Sequence, residues 1–218
     1  MKKTALIVAG GKGVRMKNKI PKQFLLINRL PIIMHTIKLF SKWDQIVLVL
    51  PKGYTDYWRE LCKKYLFKEN VSLVVGGKNR FNSVKNGLNS INENCIVAIH
   101  DAVRPFASQK LINRLIVNVD ANKGVVPVLP INDSLRKKNE TCSKSINREL
   151  FLRVQTPQCF IYKDIKEAYS QQKHENKFTD DASVFESIRG NKIITVKGEE
   201  NNIKITTKKD IKISKILN

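Results

Sequence analysis

The chain has 218 residues, enough for one well-buried core, and 40 Lys and Arg oppose 19 Asp and Glu, a formal charge of +21. No apolar run is long enough to span a bilayer, and the short run after Met1-Lys2-Lys3 ends in a glycine turn rather than a signal-peptide cleavage site. Cys62, Cys95, Cys142 and Cys159 form no C-x-x-C pair, which argues against structural zinc or a disulfide framework and for reduced thiols in a cytoplasmic protein.

Residues 5–9, ALIVA, predict a buried strand that runs into Gly10-Gly11-Lys12-Gly13, followed by Arg15 and by Lys22 in Pro21-Lys22-Gln23. Glycines at such a turn let backbone N–H groups approach phosphate oxygens without a Cβ in the way. The turn lacks the Gly-Lys-Ser/Thr of a Walker A loop. Met16 stands where a dinucleotide fingerprint needs its third glycine. Two cations close to the turn suit a triphosphate, the substrate of a nucleotidyltransferase.

Further along, a helix over residues 32–40 is predicted to carry Pro31 in its first turn, where a missing N–H costs little. Strands follow at 45–50, 72–75, 96–100 and 125–129, and helices at 54–65, 81–91 and 109–119. This alternation predicts βαβ units around a parallel sheet, and the continuous apolar runs predict strands covered on both faces. Gly76-Gly77 follows one strand and opens a helix, a geometry that suits anions. Residues 131–149 are polar and aperiodic, and read either as a solvated surface loop or as a contact arm. The chain returns through 151–160, a helix at 163–170, a second near 181–189, a strand at 193–197 and a last basic helix after Ile203-Lys204-Ile205-Thr206.

Asp101 lies just past a predicted strand, at the edge where open α/β sheets bind ligands. A lone carboxylate there suits Mg²⁺, or equally a turn or helix cap. His100 reads as a structural strand-end residue, and Thr179 or Asp180 as a helix cap. The basic residues are scattered (Lys63-Lys64, Arg136-Lys137-Lys138, Lys208-Lys209), without interleaved aromatics. That pattern reads as a solvated surface that steers anionic substrates rather than as a nucleic-acid stripe.

Seven segments occur in one order: AGGKGVRM, PKQF, GGKNRFNSVKNGL, IHDAVRP, NREL with QTPQCF, FTDDASVFE and NIKITT. In this ordered set the chain resembles the 2-C-methyl-D-erythritol 4-phosphate cytidylyltransferase family of the non-mevalonate isoprenoid pathway, over essentially its whole length. The resemblance implies an α/β, doubly wound, Rossmann-like and mostly parallel sheet, with an arm at about 131–149 projecting from a single nucleotidyltransferase domain. It implies CTP and methylerythritol phosphate as substrates, Mg²⁺ or another divalent cation near Asp101, and a homodimer clasped by the arm. Arg15 and Lys22 match the pair that stabilises charge on the α-phosphate, and Arg148 and Lys204 match the residues that position methylerythritol phosphate. Ala9, Gly10, Gly11, Gly77, Ser83 and Ala102 match nucleotide-contacting positions. Arg104, Ser134 and Thr156 match contacts to the second substrate.

The sequence departs from the family at Lys78 and Asn201, both often acidic, and at Ser134, usually threonine. Glu200 stands beside Asn201 as a substitute for a second metal ligand. A ribitol-5-phosphate cytidylyltransferase shares several of these motifs, but Ser83-Val84 with Gly87-Leu88, and residues 179–184, lean toward the methylerythritol enzyme. A basic RNA-binding protein would explain the charge, but not the ordered glycine turn, Lys22, Asp101 and Lys204.

Overall fold

The computed structural model describes residues 1–10, 20–172 and 178–217. Its first half follows the predicted alternation: β1 (Lys2–Val8), the short pair β2 (Leu26–Ile27) and β3 (Leu30–Pro31), α1 (Ile32–Lys38), β4 (Gln45–Leu50), α2 (Thr55–Lys64), β5 (Ser72–Val75) and α3 (Arg80–Asn89). Then come β6 (Cys95–Asp101), α4 (Gln109–Ile116), β7 (Lys123–Pro130), β8 (Leu135–Lys138) and β9 (Ser143–Ile146). The last part holds β10 (Leu152–Val154), β11 (Gln158–Ile161), α5 (Tyr162–Gln171), α6 (Asp181–Glu186), β12 (Lys192–Lys197) and α7 (Lys208–Ser214).

The main sheet runs β10-β7-β11-β6-β1-β4-β5, with β12 paired to β7. Strands β5, β4, β1 and β6 are mutually parallel, as are β7 and β12. Their side chains alternate between two cores. Ala5, Ile7, Leu48 and Leu50 pack with Met34 and Leu111 on one face, while Leu6, Val47 and Val49 pack with Phe81 and Phe185 on the other. Burial on both faces is why these strands read as unbroken apolar runs.

Three features depart from the sequence reading. The return segment divides at Gln155-Thr156-Pro157 into β10 and β11, and β11 runs antiparallel between β6 and β7. Asn28 and Arg29, both at positive φ, form a two-residue turn joining β2 to β3, so Pro31 stands just outside α1 rather than in its first turn. The polar segment is an antiparallel hairpin, with Leu135 opposite Ile146 and Arg136 donating to Ser143 Oγ at 2.7 Å, in a sheet of its own. Cross-strand partners supply a regularity that the segment's own sequence lacks. No described helix is long and apolar enough to cross a membrane.

Candidate active site

Parallel register sets the site. Val8 of β1 pairs with Val49 of β4 on one side and with Asp101 of β6 on the other. The start of the glycine turn and the Asp101 carboxylate therefore emerge side by side at one sheet edge. The Gln23 amide donates to the Ala9 carbonyl at 2.7 Å, which ties the short 3₁₀ turn Lys22–Phe24 to the end of β1 and holds Lys22 beside it. Phe24 anchors that turn between Tyr54 and Tyr57. Ala102 extends the edge, its N–H donating to the Val8 carbonyl at 3.1 Å. Gly11 and Arg15 lie outside the described residues.

Glycine is required at this edge for reasons of space. A methyl group on Gly10 would sit 2.5 Å from Ser83 Oγ, and one on Gly77 would sit 2.3 Å from Asn82 Cβ. Asn79 caps α3 by accepting from the Asn82 N–H at 2.8 Å. Ser83 is fully buried; its hydroxyl accepts from the Gly77 N–H at 3.1 Å and donates to the Asn79 carbonyl at 2.8 Å. Ser83 thus shapes the Gly76–Gly77 turn, with one acceptor lone pair remaining.

Three cations surround Asp101. Lys204 Nζ is 2.6 Å from its Oδ2, Arg104 Nε is 3.9 Å from the same oxygen, and Arg80 Nε is 3.4 Å from Oδ1. Burial would raise the Asp101 pKa, but Arg80, Lys204 and Arg104 together outweigh it and hold the carboxyl well below the usual range. The group is therefore an ionised, hard oxygen donor. Among the described residues no cluster of three His, Cys, Asp or Glu could cage a metal. That donor set fits Mg²⁺, which is commonly held by one or two carboxylates together with substrate phosphates. Glu200 pairs with Arg153 at 3.2 Å.

Beneath Asp101 the hydrogen bonds account for His100 and Thr156. Thr156 Oγ1 accepts from the Asp101 N–H at 3.1 Å and lies 2.9 Å from His100 Nδ1. His100 Nε2 lies 2.9 Å from the Arg104 carbonyl, so that nitrogen donates, and Nδ1 accepts from the threonine. Burial lowers the His100 pKa to about 4. The ring is neutral and fully committed, a structural strand-end histidine. Thr156 is buried as well, and its hydroxyl braces the Asp101 backbone rather than opening toward the site. Arg104 is nearly buried and donates to the Asn202 carbonyl at 2.7 Å, fastening the segment that carries Lys204.

Other residues lie apart in this chain. Arg148 is exposed at the base of the hairpin and bonds the Asn132 carbonyl, and Ser134 is exposed just before β8. Conversely, sequence reasoning missed a contributor. Arg80 grips the buried Asp181 with two short bonds while reaching Asp101 with Nε. A cation in the first turn of a helix opposes the helix dipole, and that was the available signal that Arg80 needs anionic partners. Asp180, the adjacent acid, caps α6 as expected, accepting from the Ser183 N–H at 3.0 Å.

The chain matches known proteins throughout. The family model for 2-C-methyl-D-erythritol 4-phosphate cytidylyltransferase covers residues 4–217. The enzyme of that name from Bacteroides fragilis is 44% identical over 220 residues, all of both chains. A ribitol-5-phosphate cytidylyltransferase from Lactiplantibacillus plantarum is more distant, at 38% identity over 98% of this chain and 97% of its own. The crystal structure of 4-diphosphocytidyl-2C-methyl-D-erythritol synthase from Anaerococcus prevotii superposes with a TM-score of 0.81 at 30% identity, over 99% of this chain and 95% of that one. The ordered motifs, the sheet and the charged edge thus converge, and the chain belongs to the 2-C-methyl-D-erythritol 4-phosphate cytidylyltransferase family.

Proposed function

We propose that the Asp101 edge transfers CMP from CTP to 2-C-methyl-D-erythritol 4-phosphate by positioning and charge neutralisation, without a protein general base. The convergence of Lys204 and two arginines on Asp101, beside the glycine turn and Lys22, carries this reading. A phosphate monoester has its second pKa at about 6 and is largely dianionic at neutral pH, so its oxygen is already a nucleophile. It attacks the α-phosphorus of CTP; the new P–O bond forms as the bond to the bridging oxygen breaks, and pyrophosphate leaves with that electron pair. The only described histidine near Asp101 is neutral and hydrogen-bonded at both ring nitrogens, which agrees with chemistry that moves no proton through the protein.

The barrier lies in bringing anions together, and fixed cations lower it. Lys22 and Arg15 act on α-phosphate charge, while Lys204 and Arg148 hold the phosphate of the incoming substrate. Gly10, Gly11, Gly77, Ser83, Ala9 and Ala102 form the nucleotide cradle. Mg²⁺ held by Asp101 would neutralise the triphosphate and the departing pyrophosphate.

The working form is a homodimer. Support comes from the hairpin standing in its own sheet and from Leu150, Phe151, Leu152 and Val154, which expose apolar surface along the strand at its base. In that form Arg148 and Ser134 serve a partner's site. The setting is the cytoplasm, where CTP is found and where unpaired Cys62, Cys95, Cys142 and Cys159 stay reduced. Pyrophosphate release with CTP plus methylerythritol phosphate, against CTP plus ribitol phosphate, tests the reaction. A tenfold preference for ribitol phosphate in kcat/KM would overturn it.

A further inference from the structure

Arg80 stands between two carboxylates and divides itself unequally. Nη1 and Nη2 donate to Asp181 Oδ1 and Oδ2 at 2.8 and 2.7 Å, whereas Nε reaches Asp101 Oδ1 only at 3.4 Å. Asp181 is fully buried and fixed from several sides. Tyr169 donates its hydroxyl to Oδ1 at 2.7 Å. Gln158 Oε1 accepts from the Asp181 and Ala182 N–H groups at 3.1 and 2.9 Å, while its amide donates to Asp180 at 2.9 Å. A guanidinium fork binds a carboxylate best with two parallel bonds, and here that geometry is given to Asp181.

Among the described residues, the carboxylates that pair with Arg80 are those of Asp181 and Asp101. If Asp181 lost its charge, the fork would be drawn to Asp101, which already holds Lys204 at 2.6 Å. A carboxylate whose two oxygens are each held by a cationic side chain is a poor ligand for a third cation. We propose that Asp181 is a positioning residue for the cation site: by occupying the Arg80 fork it limits Arg80 to one long bond on Asp101 Oδ1 and leaves that oxygen available to the divalent cation that accompanies the nucleotide. This rests on the reading of Asp101 as the cation's protein ligand. Asp181 acts through Arg80 and touches neither substrate nor metal.

The test is Mn²⁺ binding in the presence of CTP, followed by electron paramagnetic resonance in the full-length protein without the second substrate. Asp181→Asn keeps the shape and removes the charge, and it should weaken Mn²⁺ binding about tenfold or more, the usual scale for losing an outer partner of a metal ligand. A half-buried Arg80 without Asp181 is a folding hazard, so the charge-neutral pair Arg80→Gln with Asp181→Asn is measured as well, with thermal melting as a check. That double variant should bind within about threefold of the wild type, since nothing is left to be withheld from Asp101. Unchanged Mn²⁺ affinity in a folded Asp181→Asn variant overturns the proposal. A double variant that binds tenfold or more weakly than the wild type overturns it too, because Arg80 would then be a binding group itself. Asp101→Asn separates the two ideas: it should abolish tight Mn²⁺ binding. If it does not, the assignment of Asp101 as cation ligand falls and the role of Asp181 falls with it.

Discussion

Lys204 Nζ and Asp101 Oδ2 are 2.6 Å apart, so the cation proposed to hold the incoming phosphate is paired with the carboxylate proposed to hold the metal. The two groups come from sequence positions 103 residues apart, brought together by the β7–β12 pairing and the Arg104–Asn202 bond. Lys204→Met should raise KM for methylerythritol phosphate by roughly ten- to a hundredfold, the worth of one charge-assisted hydrogen bond, with a smaller change in KM for CTP. Steady-state kinetics with each substrate varied in turn checks this. An equal loss for both substrates would assign Lys204 to Asp101 alone.

Lys22 is held at the end of β1 by its neighbour Gln23, a placement that suits charge at the α-phosphate. Lys22→Ala should lower kcat by the equivalent of about 2.7–4 kcal/mol while leaving CTP binding nearly unchanged. Calorimetric CTP titration beside turnover measurements would distinguish this from ground-state binding, which shows as a weaker KM at constant kcat.

At Gly77 the backbone approaches Asn82 so closely that an added methyl would lie 2.3 Å from its Cβ. Gly77→Ala should displace the turn from Ser83, cost roughly 1–3 kcal/mol of stability by overpacking, and weaken CTP binding. Denaturant unfolding and nucleotide titration report the two effects separately. Gly53, with open space around it but a positive φ, provides a comparison in which Ala strains the backbone without overpacking.

His100 gives the fold a pH dependence. Burial lowers its pKa to about 4, below the ordinary value of about 6.5, so between these values the unfolded chain binds the extra proton. Its contribution is fully present above pH ~6.5 and is lost as pH falls toward ~4, about 2 kcal/mol by pH 5. Asp101 behaves differently: its carboxyl sits below the ordinary range, so its contribution persists through this window and is lost only in stronger acid. Urea unfolding at pH 7 and pH 5 should show a smaller difference in His100→Gln than in the wild type.

If the hairpin reaches a neighbour's site, subunits with different lesions should complement one another. Mixing Arg148→Ala with Lys22→Ala subunits creates heterodimers with one intact composite site and one doubly damaged site. Activity should recover partially as subunits exchange, tracked by pyrophosphate release. Heterodimers demonstrated by native mass spectrometry but lacking activity would return Arg148 to its own subunit.

Local sequence determined the parts of this protein that depend on local periodicity. Residues 45–50 and 72–75 are strands over the predicted spans; the first is an apolar run that hides both faces, and the second is a partly exposed edge strand. The cap at Asp180 was readable for the same reason, since it is set by residues within a few positions of it, whereas Asp101 closes β6 as its last residue instead of standing just past the strand. Tertiary structure alone decided what those residues meet. The antiparallel insertion of β11 between β6 and β7 depends on pairing between segments about 60 residues apart, and it brings Thr156 under Asp101 and Gln158 to α6. The grip of Arg80 on Asp181 spans 101 residues and left only an unfavourably placed cation as its local trace. Ser83 and Thr156 carry the hydroxyls expected at a ligand site. Burial gives both hydroxyls protein partners that the local sequence does not announce, Gly77 and Asn79 for Ser83 and Asp101 and His100 for Thr156, because a polar group removed from water must be paired.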